Sequence, residues 1–304
     1  MDNIDKRIIL ELDYDCRQSY QTIASKIGLT ANATKKRITR LLESGLIDRF
    51  MTTLAFPMID AELVLAVVHT DGTEYPEDLI ELIGKNPSVM QVSTVACGRG
   101  GLYCVFGAAA GSEELLEFGS NLRSFESVLS VEVHVLLFSR GKKIELTRTQ
   151  KKVLKFLVNN PRMAISEIAE SSGMTARRVR KAIDELQEGE GVHFAVFWNL
   201  GKGGLTETFI RIEWDEKSSR SDEIVEWLRK EHPLEFWSPF VSATEPVVFA
   251  RVIVDELEKA ESIARAVRRV PFVKSVATLV FYSNKLFDWP GVVELRRMLG
   301  DASD

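Results

Sequence analysis

Residues 7–47 align with residues 152–192 at a constant offset of 145, without a gap. Ile8 meets Val153, Leu12 meets Leu157, Ile23 meets Ile168, Gly28 meets Gly173 and Thr30 meets Thr175. Ile38 meets Ile183, and Leu41 meets Leu186. A repeat at fixed spacing sets the architecture before any single element is assigned. Each copy is followed by a longer stretch rich in Val, Phe and Thr with strand-like spacing. The chain therefore reads A–B–A′–B′, with A helical and B mixed.

The expected boundaries are 1–50 and 141–195 for the two A units, and 51–140 and 196–288 for the two B units. Residues 289–304 are expected as a C-terminal tail, frayed from Gly300. The segment 139–146 is the expected hinge, since Gly141 breaks a strand and Lys142 and Lys143 are solvated.

Unit A carries three successive helical patterns. Asn3 or Asp5 is positioned to cap the first, with Ile8, Ile9 and Leu12 inward. Ser19 caps a short second helix with Ile23, Ala24 and Ile27 inside, and Gly28 ends it. Thr30 caps the third. A short helix, a glycine turn and a second helix make a helix-turn-helix. On the third helix, helical periodicity places Ala31, Thr34, Leu41 and Leu42 with Ile38 on the core face. Asn32, Lys36 and Arg40 fall opposite, with Lys35 on the flank. In the second copy Ala176, Val179 and Leu186 join Ile183 inside. Arg177, Arg178 and Lys181 point outward, with Arg180 on the flank. The extended segments 46–50 and 192–197 fit wings.

Charge is distributed to match. The 304 residues carry a net charge of −5. Residues 1–50 and 144–193 are each net +2, and the remainder is net −9. Positive charge on one helix of each helical unit, set on an acidic body, is the footprint of phosphate binding. Glu185 stands where the first copy has Arg40, so the two helices are expected to read DNA unequally.

Unit B reads strand, helix, strand, strand, helix, strand in both copies, which is the split βαβ arrangement. The first copy's strands fall at 63–69, 89–96, 102–109 and 128–138, the second's at 207–214, 235–242, 247–254 and 273–282. Helices cover one sheet face, so two B units in one chain are expected to cover each other's bare faces as a pseudo-dimer. The first middle hairpin is glycine-rich. Gly98, Gly100 and Gly101 let backbone amides approach a small anion, with Arg99 as a charged clamp. A plain hairpin turn explains the same residues equally well. The second hairpin, Ala243 to Pro246, has no glycine and carries Glu245.

Other chemistry finds little support. Cys16, Cys97 and Cys104 make no CxxC pair, and His69, His134, His193 and His232 make no HxxxH pattern. Phosphate-loop, zinc-protease and nucleophile-elbow motifs are missing from the sequence. No metal and no cofactor is expected. The N-terminus has no secretory pattern and no run reaches a membrane span, so a cytoplasmic setting is expected.

Residues 3–50 resemble the N-terminal winged helix of the Lrp/AsnC family of transcription regulators. Ile4, Asp5, Ile8, Ile9, Leu12, Ile23, Ala24, Gly28, Leu29, Thr30, Arg37, Ile38, Leu41, Gly45, Leu46 and Ile47 carry the resemblance. Residues 147–282 resemble a second, more diverged copy, in which Glu190, Gly191 and Val192 replace Gly45, Leu46 and Ile47. The resemblance implies amino-acid sensing and assembly through the βαββαβ unit.

The expected fold class is α+β, with two winged helix-turn-helix domains and two ferredoxin-like βαββαβ domains in one chain. The expected function is sequence-specific binding of double-stranded DNA through Asn32, Lys35, Lys36, Arg37, Arg40, Arg177, Arg178, Arg180 and Lys181. A small-molecule effector such as an amino acid is expected at Gly98, Arg99, Gly100 and Gly101, with assembly into a homodimer or larger. Two alternatives stand beside it. One is an enzyme similar to the siroheme decarboxylases, which also pair two such units. The other is a metabolite-binding assembly protein without DNA binding.

Overall fold

A computed structural model describes residues 1–137 and 140–300. The end of the expected strand at Phe138, the start of the expected hinge at Ser139 and the last four residues of the expected tail lie outside these.

The first repeat runs α1 (Asn3–Tyr14), α2 (Tyr20–Ile27), α3 (Ala31–Glu43), β1 (Ile47–Leu54), β2 (Glu62–Thr70), α4 (Pro76–Ile83), β3 (Val89–Val95), β4 (Gly101–Ala109), α5 (Gly111–Arg123) and β5 (Val128–Leu137). The second runs α6 (Arg148–Leu157), α7 (Ile165–Ser172), α8 (Ala176–Gly189), β6 (Val192–Trp198), β7 (Thr206–Trp214), α9 (Ser221–Glu231), β8 (Phe236–Ser242), β9 (Val247–Val254), α10 (Leu257–Arg268) and β10 (Val273–Leu286), and α11 (Pro290–Leu299) follows. The repeat thus extends through the B units. In space the copies regroup. Residues 1–60, 140–203 and 289–300 form one compact unit, and residues 61–137 and 204–288 form another.

The helical unit is set by its caps. Asp2, not Asn3 or Asp5, caps α1 by accepting from the Asp5 amide at 2.8 Å. At the equivalent end of α6, Thr147 accepts from Gln150 N while Gln150 accepts back from Thr147 N. Ser19 caps α2, whereas Ala164 stands at the cap of α7 and its amide donates to the Glu167 carboxylate at 3.2 Å. Both short helices end in a left-handed glycine, Gly28 at φ 77° and Gly173 at φ 66°. That conformation costs an L side chain roughly 1–2 kcal/mol.

The expected wings differ from the observed strands. β1 and β6 pair with each other, antiparallel, from Leu54 opposite Val192 to Phe50 opposite Val196. The two helix-turn-helix copies therefore share one two-stranded ribbon. The expected tail also differs, because residues 290–299 are helix α11. Its Leu295 and Leu299 join the buried cluster of the second copy, alongside Val153, Leu157, Ile168 and Leu186, with Cys16 and Leu54 from the first copy. Gly291 lets α11 approach β1, since a Cβ there would lie 2.5 Å from the Leu54 carbonyl oxygen. Leu295→Ala is expected to cost about 2–5 kcal/mol, because the site is wholly buried and cannot easily collapse. Urea unfolding of the variant measures it, and a loss below ~1 kcal/mol would contradict the packing.

In the second unit each βαββαβ run forms a four-stranded antiparallel sheet, ordered β5-β2-β4-β3 and β10-β7-β9-β8. The sheets do not stand as separate domains. β5 pairs with β8 and β10 pairs with β3, closing an eight-stranded barrel. One face of β2 (Val64, Ala66, Val68) packs with α4 and α5 residues such as Ile83, Phe118 and Leu122. The other face, with Leu63, Leu65 and Val67, is buried as well. Burial on both faces explains the unbroken apolar run of this strand. An eight-stranded barrel is narrow enough for side chains to fill its interior. Phe209 is at the centre of that filling. Its ring lies 4.7 Å from Phe281, 5.5 Å from Phe240, 5.9 Å from Phe106 and 6.3 Å from Phe249. Among the described residues no helix is long and apolar enough to cross a membrane.

Candidate nucleic-acid interface

Helix α3 is fixed from below. Thr34, Ile38 and Leu41 are buried, and Thr30 caps the first turn by accepting from Ala33 N at 3.2 Å. Leu42, expected inside, is 39% exposed, and Ala31 is only half-buried. Asn32, Lys35 and Lys36 are exposed. No ion pair involves either lysine among the described residues.

Two arginines of α3 behave differently from the expectation. Arg37 donates to Asp2 Oδ2 at 2.7 Å and to Asp5 Oδ1 at 2.8 Å, and Arg40 donates to Asp5 Oδ2 at 2.9 Å. Asp5 is buried, so it needs these partners. The hydrogen bonds that Arg37 donates to the Asp2 and Asp5 carboxylates hold its guanidinium above its ordinary pKa despite some desolvation. Arg37 is thereby a tie between α3 and α1, with a quarter of its side chain exposed. Arg40 is shared, anchored on Asp5 but largely open to solvent.

Helix α8 repeats the frame with other chemistry. Thr175 caps it, and Val179, Ala182, Ile183 and Leu186 are buried. Ala176, expected inside, is exposed in the first turn. Arg177, Arg178, Arg180 and Lys181 are all exposed. Arg178 donates to Thr149 Oγ1 at 3.1 Å, and Lys181 lies 3.6 Å from Glu185 one turn on. Such surface pairs are weak and give way readily to a phosphate. Gln150 and Glu185, which replace Asp5 and Arg40, are themselves joined at 3.3 Å. The contact survives in the second copy with its charges exchanged for a neutral donor and an acid.

The glycine hairpin offers less to an anion than its composition suggests. Gly101 N already donates to Thr70 Oγ1, and a Cβ on Gly101 would run into Glu74 Oε1. That carboxylate accepts from Thr70 Oγ1 and from the Tyr103 hydroxyl at 2.8 Å. Burial pushes the Glu74 pKa up, but these two donors outweigh it and keep the group ionised. Gly98 and Arg99 are exposed, and Gly100 packs against the Thr70 carbonyl.

One cluster was not foreseen. His134, wholly buried, holds Glu132 at 3.0 Å and Ser242 at 3.1 Å, and Glu245 lies close enough to complete a three-ligand group. Arg211 donates to Glu132 at 2.8 Å, which gives the carboxylate a resident cation. The hydrogen bond with His134, opposed by burial and reinforced by Arg211, takes the Glu132 pKa down to about 2. The cluster reads as an ion-pair network of the barrel.

Thiol reactivity separates the three cysteines. Burial pushes Cys16 up to about 12 and raises Cys104 as well, whereas Cys97 is exposed in the hairpin. Alkylation of the native chain near pH 8 is expected to stop at one adduct, on Cys97, because only thiolates react. Mass spectrometry of the intact chain checks this; rapid uptake of further adducts without denaturant would contradict it.

Residues 1–42 match the AsnC-type helix-turn-helix domain, and residues 146–190 match a winged helix-turn-helix DNA-binding domain. The first helix-turn-helix domain is thus of AsnC type, and the second is a winged helix-turn-helix. An uncharacterised HTH-type transcriptional regulator of Pyrococcus abyssi is 27% identical over 99 residues, 32% of this chain and 66% of the relative. The match thus spans just under two thirds of that relative's length. A second such regulator of the same organism is 29% identical over 140 residues, covering 45% of this chain and 92% of the relative. Among solved structures, the siroheme decarboxylase NirDL superposes over 99% of this chain and 98% of its own, with a TM-score of 0.58 and 14% identity. At that identity the likeness is one of fold. It shows that the whole A–B–A′–B′ arrangement occurs elsewhere.

Proposed function

We propose that this chain is a transcription regulator of AsnC type that binds double-stranded DNA with α3 and α8, one helix to each half of a pseudo-palindromic site. The observation that carries this reading is the pair of capped helices with basic outer faces, joined within one compact unit through the β1–β6 ribbon. A helix-turn-helix reads bases with the N-terminal half of its second helix, and paired copies read half-sites about one DNA turn apart. Asn32, Lys35 and Lys36 occupy that position in α3, and Arg177, Arg178, Arg180 and Lys181 in α8. The half-sites are unequal, because lysines face one and arginines the other, and arginine is the better reader of guanine. Outside the filled interior, the barrel unit carries further association into dimers or larger and, at the exposed hairpin of Gly98, Arg99, Gly100 and Gly101, contact with a small effector such as an amino acid.

Selection of genomic DNA fragments by the purified chain, at roughly 50 and 200 mM salt, tests the reading. A two-part enriched site with unlike halves is expected, with retention falling steeply at the higher salt. No enrichment at either salt would overturn it. Incubation with siroheme then addresses the decarboxylase alternative, which rests on fold alone, through its absorbance spectrum.

A further inference from the structure

Arg17 and Arg162 occupy equivalent places in the two copies, one in the loop before α2 and the other in the loop before α7. Each reaches across to the other copy. Arg17 donates from Nη1 to the Pro161 carbonyl and from Nη2 to the Met163 carbonyl, the latter at 3.3 Å. Arg162 donates from Nη1 to the Cys16 carbonyl and from Nη2 to the Gln18 carbonyl, the latter at 3.5 Å. At the offset of 145, Cys16 and Gln18 are the counterparts of Pro161 and Met163. Each guanidinium therefore grips the two carbonyls that flank the other arginine. Such reciprocity is the mark of an isologous contact, here made within one chain.

The clamp is built in. Arg17 lies over the Phe194 ring at 5.7 Å, and Arg162 lies over Tyr20 at 5.1 Å and Phe50 at 5.4 Å. Beside it, Cys16 N donates to the Phe194 carbonyl at 2.8 Å and Thr52 Oγ1 to the Leu157 carbonyl at 2.6 Å. The gripped loops lead directly into α2 and α7, which pack against α3 and α8. Whatever fixes one loop against the other fixes the separation of the two outward helices.

We propose that Arg17 and Arg162 are positioning residues that set the distance and phase between the two DNA half-sites this chain accepts. The inference rests on the DNA-reading function above. Two parallel donors per side chain resist rotation as well as separation, which a single point contact does not. Lysine keeps the charge and the aliphatic stem but loses the fork.

The test combines two readouts on the full chain in a Cys97→Ser background, which removes the exposed thiol. Spin labels at Asn32→Cys and Arg177→Cys, equivalent positions on α3 and α8, report the helix separation without DNA. The unlabelled chain, with Asn32 and Arg177 intact, selects from a library of paired half-sites with variable spacing. The parent is expected to show a narrow distance distribution and one preferred spacing. The Arg17→Lys/Arg162→Lys variant is expected to broaden the distribution about twofold and to accept several neighbouring spacings. Circular dichroism verifies folding, and Arg162→Lys alone replaces the pair if the double variant does not fold. A folded variant with the parent's distance width and single spacing would overturn the proposal. A parent that selects no paired site would instead overturn the DNA-reading function, a result the distance measurement leaves distinguishable.

Discussion

Replacing Arg177 and Arg180 with alanine is expected to lower affinity for the selected DNA about a hundredfold and to reduce the slope of log affinity against log salt by about 1.8. Both side chains are exposed on the outer face of α8, so removing them disturbs no core residue. Each phosphate neutralised by a basic side chain releases condensed counterions, which ties affinity and salt slope together. Titration at several salt concentrations gives both numbers from one set of data. The Arg37→Ala variant is the informative contrast. Arg37 holds Asp2 and Asp5, and its loss leaves the buried Asp5 with Arg40 alone. Its expected signature is a lower melting temperature with the salt slope retained. If Arg177→Ala/Arg180→Ala leaves affinity and slope untouched while Arg37→Ala flattens the slope, α8 does not face the DNA as proposed.

Phe209→Ala is expected to cost about 3–5 kcal/mol of folding stability. The ring is 1% exposed and lies against four other phenylalanines drawn from β4, β8, β9 and β10. Those strands come from both sequence repeats. The void opens where the two sheets meet, and the surrounding rings cannot all move inward without breaking strand registers on both sides of the barrel. Guanidinium unfolding monitored by tryptophan fluorescence measures the loss. A change below about 1 kcal/mol would mean that the barrel interior rearranges freely around the missing ring.

Much of this was legible in the sequence because it is local. The caps at Ser19, Thr30 and Thr175 and the left-handed turns at Gly28 and Gly173 each depend on residues within one turn of chain. Apolar periodicity located Ile38 and Ile183 for the same reason. The errors concern partners far apart in sequence. Nothing near Ile47 or Val192 announces that β1 and β6 choose each other, since an edge strand offers the same unpaired groups to any comer. The closure of β5 on β8 and of β10 on β3 is hidden likewise. Helix α11 was read as a tail because its apolar residues make sense only against the cluster that Leu295 and Leu299 complete. The exposure of Asn32, Lys36 and Arg177 followed from helical phase, which set Lys35 and Arg180 on the flank, but the engagement of Arg37 and Arg40 did not. A signal for Arg40 was nonetheless present. Between the copies Asp5 becomes Gln150 as Arg40 becomes Glu185, and residues that change together are residues that touch.

The interleaving of the two compact units has a consequence for assembly. The chain crosses between them four times, near residues 60, 140, 203 and 288, so that like segments meet inside one molecule. In a protein built from separate short chains, such a meeting is a bimolecular event that dilution reverses. Here the tether supplies the local concentration, and the meeting no longer depends on how many molecules the cell holds. The same tether favours the neighbouring copy over a like copy from another molecule. Each copy is then at liberty to drift, as Gln150 and Glu185 have done opposite Asp5 and Arg40, without forming mismatched pairs from a mixed population.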